Sequence, residues 1–139
     1  MKQQRMSRRA FLNAGGDAAK GSCIILTMPM ILAACNQANE ARTKNSDFQL
    51  LSEEEGLEYS AISARIIPSN DTPGATEAGV IYFIDTVVAD NRDGEHQILK
   101  QGLTTLQSEG AAQFGVASFY LLNEEQQDQL LRQIESSQF

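Results

Sequence analysis

From residue 50 onward, apolar side chains return every three or four positions in separate blocks, which is the spacing of one buried face on an α-helix. The first block places Leu57, Ala61 and Ala64 on one face, with Tyr59, Ile62 and Ile66 beside them. Ser52 ahead of Glu53, Glu54 and Glu55 predicts a capping box: the Ser52 hydroxyl accepts from the Glu55 N–H while the Glu55 carboxylate reaches back. Pro68 ends this helix. A second block begins in the turn-rich residues 68–80, where Thr72 is the expected N-cap, Pro73 the first helical residue and Glu77 a complement to the helix dipole. Val80, Ile81, Phe83, Ile84, Val87 and Val88 then cover most of the circumference up to Ala89, as in a helix central to its domain. The β-branched run from 81 to 88 also fits a buried strand, but the capped start and the length favour a helix.

Residues 91–94 read as a loop, and Ile98, Leu99, Gly102, Leu103 and Leu106 predict a third helix reaching Ser108 or beyond. Gly110 and Gly115 flank a small-residue segment suited to a short helix or close backbone packing. Asn123 with Gln126 repeats the capping logic, and Leu130, Leu131 and Ile134 give a last helix one buried face. The expected fold is all-α, a bundle of about four helices.

The N-terminal third has a different pattern. Residues 21–34 are mostly apolar, but fourteen residues interrupted by Pro29 fall short of the roughly 18 that a spanning helix needs. A basic leader precedes them, with Ser7, Arg8, Arg9, Phe11 and Leu12 arranged as a twin-arginine export signal. Leu32, Ala33 and Ala34 ahead of Cys35 form the apolar-then-small pattern of a lipoprotein cleavage site, so the mature chain is expected to start at a lipidated Cys35. Ordinary cleavage after an A-x-A-like site is the alternative. Export by this route suits proteins that fold, and often take up a cofactor, before crossing. Residues 36–47 are polar without apolar periodicity and read as a flexible tether. The expected division is therefore a signal over 1–34, lipidated cysteine and tether over 35–49, and a helical domain over 50–139, placed at the periplasmic side of a bacterial envelope.

Charge changes the picture once the leader is set apart. Lys2, Arg5, Arg8, Arg9, Lys20 and Asp17 lie in it, so of 11 basic and 18 acidic residues 6 and 17 remain, a net of −11 for the mature part. Nucleic acid is excluded as a partner, because a phosphate-binding surface needs a basic patch. Both cysteines, Cys23 and Cys35, fall in the signal or at its boundary, so the domain has no thiol for a disulfide, zinc site, iron–sulfur cluster or haem attachment. His96 is the lone histidine, in the polar run DGEHQ, and reads as a solvated helix residue.

Residue types needed for catalysis do not assemble. No Ser/His/Asp set, glycine-rich phosphate loop or metal-ligand spacing is present. Asp71 sits in a turn, where Asp bonds its own backbone, and Asp85 is expected to pair with Arg65 or to lie at the rim of the central helix. Glu53, Glu54, Glu55 and Glu58 read as a solvated cluster, which could also face a basic partner.

The stretch ARIIPSNDTPGATEAGVIYFID, residues 64–85, resembles the small subunit, subunit 3 or gamma, of membrane-bound gluconate 2-dehydrogenase and related FAD-dependent dehydrogenases. The likeness rests on Ile67 and Pro68, then Asp71, Thr72, Pro73, Gly74 and Ala75, then Glu77, Ala78, Gly79 and Val80, then Phe83, Ile84 and Asp85. Gly102, Leu103, Phe119, Leu130 and Leu131 extend it, so that it covers about 50–134. The resemblance implies a non-catalytic chain without flavin or haem of its own. It also implies a large FAD-binding subunit as partner, often with a multihaem cytochrome c that passes electrons to quinone. In that setting the chain would aid folding, meet the twin-arginine translocase, and tether the complex through lipid on Cys35. Pro68, Asp71, Thr72, Pro73, Gly74, Ala75 and Glu77 are the candidate docking residues. The alternative is a free-standing envelope lipoprotein acting as a structural or ligand-binding module.

Overall fold

The computed structural model describes residues 27–90 and 94–136. Ser7, Arg8, Arg9, Phe11 and Leu12 of the export motif lie outside the described residues. Within them every regular element is helical: α1 (Met28–Lys44), α2 (Glu53–Ile66), α3 (Ala75–Ala78), α4 (Val80–Asp90), α5 (Glu95–Phe114) and α6 (Glu124–Ser136), with a 3-10 turn over Phe119–Leu121 between the last two.

The caps explain most boundaries. The Ser52 hydroxyl accepts from the Glu55 N–H at 3.1 Å and the Glu55 carboxylate accepts from the Ser52 N–H at 2.9 Å, the reciprocal box that the sequence predicts. Asn123 and Gln126 build the same arrangement ahead of α6. Gly115 closes α5 at φ 73°, the left-handed conformation that glycine adopts without a Cβ penalty.

Two expectations about helix starts and tethers need correction. Gly74, and neither Thr72 nor Pro73, is the N-cap of α3, and Gly79 at φ 68° interrupts what reads as one continuous helix. The cause is Glu77, whose carboxylate accepts from the Gly74 N–H at 3.0 Å and draws the start two residues downstream. Residues 36–44, expected as tether, continue α1, and Ala34 and Ala38 are buried. Alanines at 34, 38 and 41 form a narrow face that polarity alone conceals. Its small side chains let the helix lie against α4.

Two apolar clusters make the core. Leu106, Phe119, Leu122 and Leu130 form one, and Leu51, Tyr59 and Leu103 the other, with Ile62 of α2 packed against both. Helix α2 therefore joins the two halves, while α4 packs between α1 and α2. Phe48 also enters the second cluster and meets Tyr82 with ring centroids 5.5 Å apart, so the chain before residue 50 already belongs to the folded body.

Candidate docking surface

Two buried carboxylates organise the domain. Glu58 is fully buried. Its oxygens accept from the N–H groups of Phe119 at 3.2 Å and Tyr120 at 3.0 Å and from the Gln107 amide at 2.8 Å. Asp85 is also buried and accepts from the N–H groups of Gln49, Leu50 and Leu51 at 2.7, 3.0 and 3.0 Å. Each takes up backbone donors of a segment that no helix or sheet satisfies, which is why burial is tolerated. These positions correct the reading of Glu58 as solvated and of Asp85 as a partner for Arg65 or a residue at the rim of the central helix. A signal for Glu58 exists in the sequence, since it shares the helical phase of Ile62 and so falls on the core face.

Arg65 instead clasps α6. Its guanidinium donates to both Asp128 oxygens at 2.7 and 3.0 Å and lies 2.9 Å from Glu124. The hydrogen bonds from Arg65 hold the Asp128 carboxyl below the usual range, and the Arg65 guanidinium is held more firmly protonated in return. At the other end of α2, Glu55 meets His96 at 3.0 Å and Lys100 at 3.6 Å, so His96 is partnered rather than freely solvated. Burial raises the Glu55 pKa, but the Ser52 N–H and His96 outweigh it and the net shift is downward. Burial and the charges of Glu55 and Glu58 push Tyr59 up to about 12. Its hydroxyl is buried without a hydrogen-bond partner.

The predicted docking residues divide into a scaffold and a rim. Gly74 and Ala75 are buried, and a Cβ on Gly74 would lie 2.5 Å from the Ser69 nitrogen and 2.7 Å from the Ile67 carbonyl oxygen, so only glycine fits there. Glu77 staples the loop: beyond Gly74 it accepts from the Ser69 hydroxyl, and its own carbonyl accepts from Arg42 at 3.0 Å. The Ser69 hydroxyl is the main reason the Glu77 carboxyl stays below its ordinary pKa. Pro68, Asp71, Thr72 and Pro73 face solvent on this rigid frame.

Next to them Ile66 is 67% and Ile67 51% exposed, although the sequence pattern puts Ile66 within the apolar stripe of α2. Ile66 also lines a groove of about 580 Å³ with Leu131 and Ile134 of α6, rimmed by Arg132 and Glu135. Ile66, Ile67 and Ile134, like Leu57 and Ile98 at 51% and 50% exposure, belong to faces that the sequence reads as buried. Their periodicity looks like core, and only the tertiary packing shows that no described element covers them.

Among the described residues no group of three or more His, Cys, Asp or Glu side chains could hold a metal ion, and no helix is long and apolar enough to cross a membrane. Cys35 is exposed on α1.

What these elements define is a small all-helical domain whose buried acids secure its own backbone and whose open apolar rim adjoins a stapled loop. The chain belongs to the gluconate 2-dehydrogenase subunit 3 family, whose model matches residues 53–139. The family description names one subunit of a dehydrogenase, which implies a larger assembly and an accessory role. Neither a curated protein nor a solved structure matches the chain.

Proposed function

We propose that this chain is the non-catalytic small subunit of a membrane-associated, FAD-dependent sugar or sugar-acid dehydrogenase. In this reading the flavin resides in a large partner subunit and haem c in a cytochrome, while this chain chaperones, exports and tethers. The observation that carries the proposal is the exposed pair Ile66 and Ile67 beside a loop held rigid by Glu77, all within the family-matched span. An apolar rim on a preorganised frame is what a stable protein contact requires, because little ordering entropy is lost on docking.

Export fits the same scheme. The leader with Arg8 and Arg9 directs a folded pair of subunits across the membrane, and lipid on Cys35 then retains it. Each buried methylene contributes about 0.8 kcal/mol and one acyl chain alone is marginal, so several chains on Cys35 are needed.

The test is affinity purification of the tagged full chain from solubilised envelopes. A large flavoprotein should co-purify in constant ratio. Burying the remaining surface of two isoleucines contributes about 2–4 kcal/mol, or roughly 30- to 700-fold in affinity. Replacing Ile66→Asp together with Ile67→Asp should therefore abolish co-purification. Replacing Arg8→Lys with Arg9→Lys should lower dehydrogenase activity in the envelope. A stable monomer that brings down no flavoprotein would replace this reading with that of a free-standing lipoprotein.

A further inference from the structure

Helix α6 turns two kinds of surface outward, and one side chain stands between them. On one side Leu131 and Ile134 line the groove of about 580 Å³ that also takes in Ile66. On the other, a groove of about 770 Å³ is lined by Glu124, Glu125, Asp128 and Gln129. Arg65, Asp128 and Arg132 border both, so the apolar and the acidic grooves meet along this row. Asp128 and Arg132 are four positions apart and so are neighbours on the helix surface.

The two arginines differ in how their charge is used. Arg65 occupies both Asp128 oxygens and also meets Glu124. Elsewhere Arg42 donates to the Glu77 carbonyl and to Asn39, Lys44 pairs with Glu40, and Lys100 lies 3.6 Å from Glu55. Arg132 is exposed and makes no hydrogen bond or ion pair with another described residue. The Asp128 carboxyl is held low first by its hydrogen bonds from Arg65 and only last by the charge of Arg132. The Arg132 guanidinium thus keeps its donors open at the edge of an apolar groove. Covering it without an acceptor would strand a desolvated charge, so whatever closes the groove has to bring one.

Charge narrows the chemistry of that partner. The mature part has a net charge of −11, and Glu125 and Glu135 are exposed on the same helix as Arg132. A surface complementary to most of this face is therefore basic. At Arg132 the pattern inverts, and a uniformly basic surface would set like charges together over the groove.

We propose that Arg132 is the specificity-determining contact of the docking surface, pairing with a carboxylate of the large subunit that lies beside an apolar side chain seated between Ile66 and Ile134. The inference rests on the subunit reading and adds which chemistry the partner presents. The apolar contact supplies affinity, and the charge pair fixes register. A basic protein drawn to the acidic chain without specificity is refused here, because closing the groove would bury the guanidinium against a like charge.

The tagged full chain is purified from solubilised envelopes over a series of salt concentrations, beside Arg132→Lys, Arg132→Ala and Arg132→Glu, and retention is read as flavin absorbance per tagged chain. Truncating one partner of a buried charge pair weakens binding by at least about 30-fold. Arg132→Ala should therefore retain far less flavoprotein than the parent, and Arg132→Glu less still, because it opposes two carboxylates. Arg132→Lys keeps the charge without the planar fork and should fall between parent and Ala. Higher salt should narrow the gap between Ala and Glu. Lys44→Glu, the same reversal of charge on α1, should leave retention unchanged. Far-UV circular dichroism and urea midpoints show that each variant is folded. Unchanged retention in Arg132→Ala, retention in Arg132→Glu equal to or above that in Arg132→Ala, or an equal loss in Lys44→Glu would overturn the assignment. A parent chain that retains no flavoprotein would instead refute the subunit reading itself, a result distinct from a parent complex indifferent to Arg132.

Discussion

Removing the Glu58 carboxylate should unlock the turn that joins α5 to α6. In Glu58→Ala the N–H groups of Phe119 and Tyr120 lose their acceptor in a region where Phe119 is only 1% exposed, so water cannot readily replace it. The Gln107 amide also loses its partner but is half-buried and can turn outward. Hydrogen bonds to a charged group contribute about 1.5–3 kcal/mol each, so two stranded amides cost roughly 3–6 kcal/mol. Against a typical total of about 5–15 kcal/mol this removes a large part of the stability. Urea unfolding of the purified chain, followed by far-UV circular dichroism, should show the midpoint falling by about 2–4 M for a slope near 1.5 kcal/mol per M. Glu58→Gln retains one acceptor oxygen and the side-chain shape, and should lose about half as much. Hydrogen exchange adds a local check, since the Phe119 and Tyr120 amides should exchange faster before the rest of the domain does. A change under about 1 kcal/mol in Glu58→Ala, with those amides still protected, would refute the claim that this carboxylate carries the turn.

Asp85→Asn keeps one acceptor for Leu50 and Leu51 but turns an amide toward the Gln49 N–H, and should cost about 1–3 kcal/mol with selective exchange at Gln49. Tyr59→Phe removes a buried hydroxyl that has no partner, so stability should stay constant or rise by about 1 kcal/mol; a clear fall would reveal a hidden acceptor. Tyr59 also has a pKa raised in the folded state, from 10.0 to about 12, so its contribution is intact below pH 10 and lost as pH rises toward 12. The Phe variant should lack that part of the alkaline loss. For Glu55 the sign is opposite: its folded pKa lies below 4.5, so its contribution is present above that pH and disappears as pH falls through the folded value. Urea midpoints measured on acidification should therefore decline less steeply in Glu55→Gln than in the parent chain.

What the amino-acid order settled by itself is local. The Ser52 and Asn123 boxes close over three residues, and glycine at 115 ends α5 because its backbone enters the left-handed region at little steric cost. The apolar period marked α2, α4, α5 and α6 for the same reason, since one helical turn brings neighbours three and four apart onto one face. Family membership was legible too, because the Ile-Pro, Pro-Gly-Ala and Phe-Ile-Asp strings fall within the matched span.

Tertiary structure decided the rest, where partners are distant along the chain. Glu58 meets Tyr120 across 62 positions, Arg65 meets Asp128 across 63, and Asp85 meets Gln49 across 36. A carboxylate reads as solvated until another segment delivers unsatisfied N–H groups to it, and no local pattern encodes that delivery. Likewise Ile66 belongs to the apolar stripe of α2 by phase and to the open rim by geometry, because a groove separates it from Leu131 and Ile134 of α6 and leaves it exposed. Helix α1 shows the same division: its alanine face had meaning only once α4 was there to receive it.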